Sequence, residues 1–200
     1  LMPGVQHMRH THLPEHKFIK GQPTTGVELA EDLERIAMNF GGENIAACIV
    51  EPIAGSTGTL VPPKGYLKRL REICNKHGIL LIFDEVITGW GRTGSAFAAQ
   101  EWGVTPDIMT MAKATTNGVV PMGVVAVKEE MYDAVLDASK APEGTPELFH
   151  GFTYSGIPVA VAAALAVKDI FEKEDIFKRA KEMSPYFQDG LHSLKDLKEA

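Results

Sequence analysis

Apolar positions along the chain follow two alternating rhythms. From Val27 to Phe40 they fall at Val27, Leu29, Ala30, Leu33, Ile36, Ala37 and Phe40. That three-and-four spacing predicts a helix with one buried face, stopped by Gly41-Gly42. Ile45 to Val50 is instead a short unbroken apolar run, which predicts a strand covered on both faces. The rhythms then repeat. Pro63 to His77 reads as a helix with Leu67, Leu70 and Ile73 inward, closed by Gly78. Ile79 to Phe83 reads as a second buried strand and Ala96 to Trp102 as a short helix. Ile108 to Ala112 and Gly123 to Val127 are further strands, and Lys128 to Leu136 is helical. Ala138 to Glu147 holds two Pro, one Gly and no periodicity, so a loop is expected. Beyond it, Ser155 is expected to cap a helix running to about Glu172, with Pro158 in its first turn. Its Ala160 to Ala166 stretch permits close packing. Ile176 to Leu194 is a last helix.

Strands that alternate with helices imply right-handed crossovers and a mostly parallel sheet, so the fold class is α/β. Ligands of such sheets gather beyond the carboxyl ends of the strands. Three polar residues fall at or near those ends: Glu51, Asp84 and Lys113.

Composition narrows the function. Of 200 residues, 44% are hydrophobic and 23% charged, which suits a globular chain and excludes a disordered or collagen-like one. The 20 Lys+Arg against 26 Asp+Glu leave a net charge of −6, without the basic excess of a nucleic-acid or anionic-membrane binder. The longest apolar run, Gly78 to Phe83, falls far short of the roughly 20 residues of a membrane span. Leu1-Met2-Pro3-Gly4 lacks the order of a signal peptide, and the absence of Met at position 1 points to a fragment or a processed product. Cys48 and Cys74 belong to no metal spacing, and buried free thiols in a reducing cytoplasm are expected. His7, His10, His12 and His16 are irregularly spaced around Pro14, as on a surface segment, and no metal site is expected.

Asp84 ends the very apolar run Leu80-Leu-Ile-Phe, where a carboxylate is costly unless a cation meets it. Taken alone it could cap a helix, pair in a loop, or hold a cationic nitrogen of a ligand. Lys113 closes another apolar strand. A solvated lysine is the ordinary reading, but a partly desolvated one can act as a nucleophile. Together, an amine facing a carboxylate from the next strand is what pyridoxal phosphate requires: an imine-forming lysine, and a carboxylate that keeps the pyridine nitrogen protonated. Gly89-Trp-Gly-Arg-Thr-Gly94 is a poor phosphate loop, lacking Lys-Ser/Thr and GxGxxG, and Arg92 is expected to form a structural ion pair. The hydroxyls and free amides of Phe149 to Gly156, ahead of a helix, suit an anion.

The ordered set Ile49-Val-Glu51-Pro52, Pro62-Pro-Lys-Gly65-Tyr66-Leu, Leu81-Ile-Phe-Asp84-Glu85-Val86, Gly89 to Gly94, Pro106-Asp107, Ala112-Lys113, Thr116-Asn-Gly118 and Phe152 to Gly156 resembles the class III (ω-amino acid) pyridoxal-phosphate aminotransferases. The resemblance implies the large domain of a fold-type I pyridoxal-phosphate transferase over residues 1–154. Residues 155–200 would then be a connecting helix and the start of a smaller C-terminal domain. It implies Lys113 as the Schiff-base lysine and proton shuttle, Asp84 as the pyridine-nitrogen partner and Val86 against a ring face. Thr153 would be a phosphate ligand given across a homodimer interface, and Glu51 a carboxylate near the cofactor. Ser56 and Ile87, where many members carry Glu and Gln, resemble the branch that transfers amino groups from ω-amino acids such as β-alanine to pyruvate. An aminomutase or decarboxylase on the same fold, or a fragment without activity, are the alternatives. The upstream Gly-Ser phosphate cup, the stacking aromatic and the substrate-carboxylate arginine have no counterpart, which implies the central part of a longer family member.

Overall fold

The apolar runs pair into one four-stranded sheet in the computed structural model, which describes residues 4–139 and 150–197. The strands are β1 (Ala47–Val50), β2 (Leu80–Asp84), β3 (Ile108–Met111) and β4 (Val124–Val127), neighbours in that order. β1 and β2 run parallel from Ala47↔Leu80 to Val50↔Phe83, and β2 and β3 from Ile82↔Ile108 to Asp84↔Thr110. β4 returns antiparallel beside β3, because the link between them holds only a short 3-10 turn and no crossover helix. The sheet is thus mostly parallel, as expected.

The helices are α1 (Glu31–Phe40), α2 (Tyr66–His77), α3 (Ala98–Trp102), α4 (Glu129–Ser139), α5 (Pro158–Lys173) and α6 (Ile176–His192). Each expected helix is present with shifted ends. Val27–Ala30 winds as a 3-10 turn before α1, and Pro63 to Gly65 stand outside α2. The expected loop over 138–147 begins later, since Ala138 and Ser139 still belong to α4; the rest of it lies outside the described residues. Ser155 does not cap α5. Its hydroxyl accepts from the Phe152 amide instead, at 2.8 Å, and Ile157 takes the cap position without a side-chain bond. Pro158 does open the helix, where its missing N–H costs nothing.

The core lies on one face of the sheet. Cys48, Leu81 and Phe83 project into it from the strands, against Leu33 and Ala37 of α1, Leu70, Ile73 and Cys74 of α2, and Ala99 of α3. Both cysteines are free and buried. The opposite face is open, contrary to the two-sided burial expected of β1. Ile49 is 62% exposed, and Val125 and Val127 on the same face are exposed too. Period-two alternation explains the split, since the register puts Ile49, Ile82, Asp84, Thr110 and Val125 on one face and Leu81, Phe83 and Met109 on the other.

Ion pairs fasten the covered side. Arg9 grips both carboxylate oxygens of Asp32 at 2.9 Å and holds that carboxyl down at about 2. Burial pushes the Asp107 carboxyl up, but Lys128, the Leu81 amide and Arg71 together bring it below the ordinary range. His7, His10 and His12 are exposed as expected, but His16 is buried and bonds Thr11 and Thr25. Four irregularly spaced histidines carry no mark that separates the one turned inward.

Candidate active site

β1, β2 and β3 are parallel, so their carboxyl ends share one edge of the sheet, and that edge carries Glu51, Asp84 and Lys113. Asp84 is the last residue of β2 and lies opposite Thr110 of β3. Lys113 follows Thr110 by three residues. With strands about 4.8 Å apart and about 3.4 Å per residue, an extended path would set the two backbones about 11 Å apart. Both residues stand along the same edge of the sheet.

Each group has bonding capacity to spare. Asp84 is half-buried, and one carboxylate oxygen accepts from the Val86 amide at 3.0 Å. Its other oxygen and the Lys113 ammonium have no partner among the described residues, and no ion pair joins the two side chains. Lys113 is exposed, so this chain alone does not give it the desolvated setting expected for a nucleophile. Its backbone is held at φ 48°, a left-handed conformation that costs a side-chain-bearing residue about 1 kcal/mol or more. Lys113 opens the 3-10 turn Lys113–Thr115, and its carbonyl accepts from the amides of Thr116 and Gly118.

The remaining expected residues divide. Val86 is half-buried directly after the Asp84 turn. Glu51 lies beyond β1 and folds back onto its own loop, accepting from the Gly55 amide at 2.9 Å. The lack of a side chain at Gly55 lets Ile87 close in, since a Cβ there would lie 2.6 Å from the Ile87 methyl. The β1 and β2 loops are thereby locked together. Thr153 stands apart, exposed, in a turn closed by the Ser155 amide on the Phe152 carbonyl; nothing among the described residues bonds its hydroxyl.

The glycine-rich segment serves packing. Gly91 and Gly94 have φ 91° and 87°, and a Cβ on either would lie 3.0 Å from Phe177 or Lys181. Trp90 stacks edge-on with Phe97 and Phe171. The segment is thus a seat for α5 and α6. Arg92 is exposed and makes no ion pair among the described residues, which corrects the structural pairing expected of it. Gly91 and Gly94 on either side of it pack against Phe177 and Lys181 instead.

A family model described as aminotransferase class-III matches residues 2–200. The chain belongs to the class III aminotransferases. Members of this family depend on pyridoxal phosphate, the cofactor expected from Asp84 and Lys113. The donor set fits two of its ends, a free carboxylate oxygen for the ring nitrogen and a free amine for the aldehyde. The ω-aminotransferase of Caulobacter vibrioides is 56% identical over 98% of this chain and 44% of its own length. The β-alanine–pyruvate aminotransferase of Pseudomonas aeruginosa is 50% identical over 97% of this chain and 43% of its own. The ω-transaminase of Pseudomonas jessenii, solved in complex with PMP, superposes with a TM-score of 0.88 at 36% identity, covering 98% of this chain and 43% of that one. The class III aminotransferase fold expected from the motifs is therefore present, and the chain spans less than half the length of these relatives.

Sequence reasoning missed one buried carboxylate in this region. Glu85, next to Asp84, is fully buried and accepts from Thr88, Ala98 and Ala99. The period of the strand could have found it, because Glu85 continues the covered face of Leu81 and Phe83.

Proposed function

We propose that this chain carries the cofactor-holding lysine and carboxylate of an ω-amino acid:pyruvate aminotransferase. The enzyme would move an amino group from an ω-amino acid or amine, β-alanine among them, to pyruvate in two half-reactions. The observation that carries the reading is the shared edge: an amine and a carboxylate, each with bonding capacity free, at the carboxyl ends of neighbouring parallel strands. Likeness to relatives named for β-alanine, ω-amino acids and pyruvate supports the donor and acceptor.

Bound pyridoxal phosphate supplies an aldehyde for amino groups and an electron-withdrawing ring. Asp84 would keep a proton on the ring nitrogen through its negative charge. Lys113 would hold the cofactor at rest and then, once released, carry the proton away from the donor carbon. Val86 would pack on a ring face, and Glu51 would border the site from β1. Thr153, exposed and with no hydroxyl partner among the described residues, suits a ligand for the cofactor phosphate of a second copy, so the working unit would be a homodimer. Residues 1–154 would belong to the large domain and 155–200 to the link into a smaller one. The cytoplasm is the proposed location; among the described residues no helix is long and apolar enough to cross a membrane.

The test is product analysis of the holoprotein. Alanine should form from pyruvate and β-alanine, and Lys113→Ala should abolish it. Carbon dioxide release or an internal amino shift without pyruvate consumption would instead make the protein a decarboxylase or an aminomutase.

A further inference from the structure

We propose that Glu85 is a positioning residue for Asp84: its buried carboxylate ties the chain after β2 to α3 and thereby fixes where the Asp84 carboxylate stands. This rests on the reading of Asp84 as partner of the cofactor's ring nitrogen.

Asp84 has little to hold it. Among the described residues its side chain makes one hydrogen bond, from the Val86 amide, so its direction depends on the backbone through residues 85 and 86. Glu85, in contrast, uses every polar group it has. Its amide donates to the Thr110 carbonyl and its carbonyl accepts from the Gly89 amide, both at 2.9 Å. One carboxylate oxygen accepts from the Thr88 hydroxyl and the Ala98 amide, and the other from the Ala99 amide, all at 2.8 Å. The residue is 0% exposed. Burying a carboxylate is costly without such partners, and losing one partner strands the others.

α3 supplies the reason for a distant anchor. Its first amides need acceptors, and the cap position is Phe97, whose side chain offers none. Glu85 meets that need from thirteen residues away and so closes the whole segment 85–98 into one unit. Gly89 completes it, since a Cβ there would lie 2.8 Å from the Glu85 carbonyl oxygen. A side chain that only capped α3 could sit anywhere in the segment. Placed next to Asp84, and bonded through its main chain to the strand pair that carries both Asp84 and Lys113, it holds the reacting edge in register. Displacements of about 1 Å at such an edge cost about a hundredfold in rate.

The experiment measures the dissociation constant of pyridoxal phosphate by fluorescence titration, with the melting temperature of each apoprotein alongside. The proteins are wild type, Glu85→Gln, Asp84→Asn and the double variant. Asp84→Asn should weaken binding about tenfold or more, and Glu85→Gln about threefold to tenfold. The double variant should bind no worse than Asp84→Asn alone, because without the charge there is nothing left to position. Wild-type affinity in Glu85→Gln, or losses that multiply in the double variant, would overturn the inference. Unchanged affinity in Asp84→Asn would overturn the reading beneath it as well. If Glu85→Gln fails to fold, Thr88→Val removes a single donor. It should show a smaller loss with the same dependence on Asp84, and a loss independent of Asp84 would refute the positioning role.

Discussion

Phe83 and Tyr186 are both large aromatic residues, and they mark two kinds of construction. Phe83 is 0% exposed, in the core that unites β1, β2 and β3 with the first three helices. Tyr186 is 77% exposed on α6, a helix with no buried residue. α5 buries only Ala160 and Val167. The α/β region rests on a packed interior of its own. The C-terminal helices rest on a few points: Phe177 over Gly91, Lys181 beside Gly94, Phe171 against Trp90, and an ion pair from Lys20 to Asp189. The site edge belongs to the first kind, and Thr153 lies on the way to the second. A packed scaffold carries the edge with Asp84 and Lys113, while α5 and α6 are seated by few contacts.

The comparison breaks most visibly at the core. Phe83→Ala should cost about 3–5 kcal/mol, read as a lowered denaturant midpoint, because a buried ring leaves a cavity. Next comes the seat of the helices. Gly91→Ala forces a side chain into φ 91° and against Phe177, and should cost about 1–2 kcal/mol. Its signature is local: amide exchange should quicken in α5 and α6 and stay unchanged in β2.

A smaller effect is set by pH. Asp32 is held at about 2 by Arg9, below its unfolded value near 3.9. Its stabilisation is therefore complete above about pH 4 and disappears as pH falls toward 2. Unfolding midpoints measured across that window should decline, and Asp32→Asn should flatten the decline. Smallest of all, Tyr186→Ala should shift stability by less than about 0.5 kcal/mol. A large loss there would show that α6 is bound as firmly as the core.

Much of the scaffold was legible in the sequence, because continuous apolar runs and three-and-four spacing report burial directly. Leu80 to Phe83 could hardly be anything but a strand, and Leu67, Leu70 and Ile73 specify the inward face of α2. Asp84 and Lys113 were legible for a related reason, since charge at the end of an apolar strand needs explaining. What was hidden depends on distant partners. Arg9 and Asp32 are 23 residues apart, and Arg71 and Asp107 are 36 apart. Nothing local announces either pair. Ser155 looked like a cap because its residue type and position were right, yet a competing amide at Phe152 took its hydroxyl. The open face of the sheet was hidden too, because Ile49 is equally apolar whether or not anything covers it.

The central claim is that Lys113 and Asp84 converge on one pyridoxal ring. The most direct measurement is borohydride reduction of the holoprotein followed by peptide mapping, with wild type and Asp84→Asn side by side. The account predicts a phosphopyridoxyl group on the peptide containing Lys113, with weaker cofactor retention in the Asp84 variant. A label on any other lysine would contradict it.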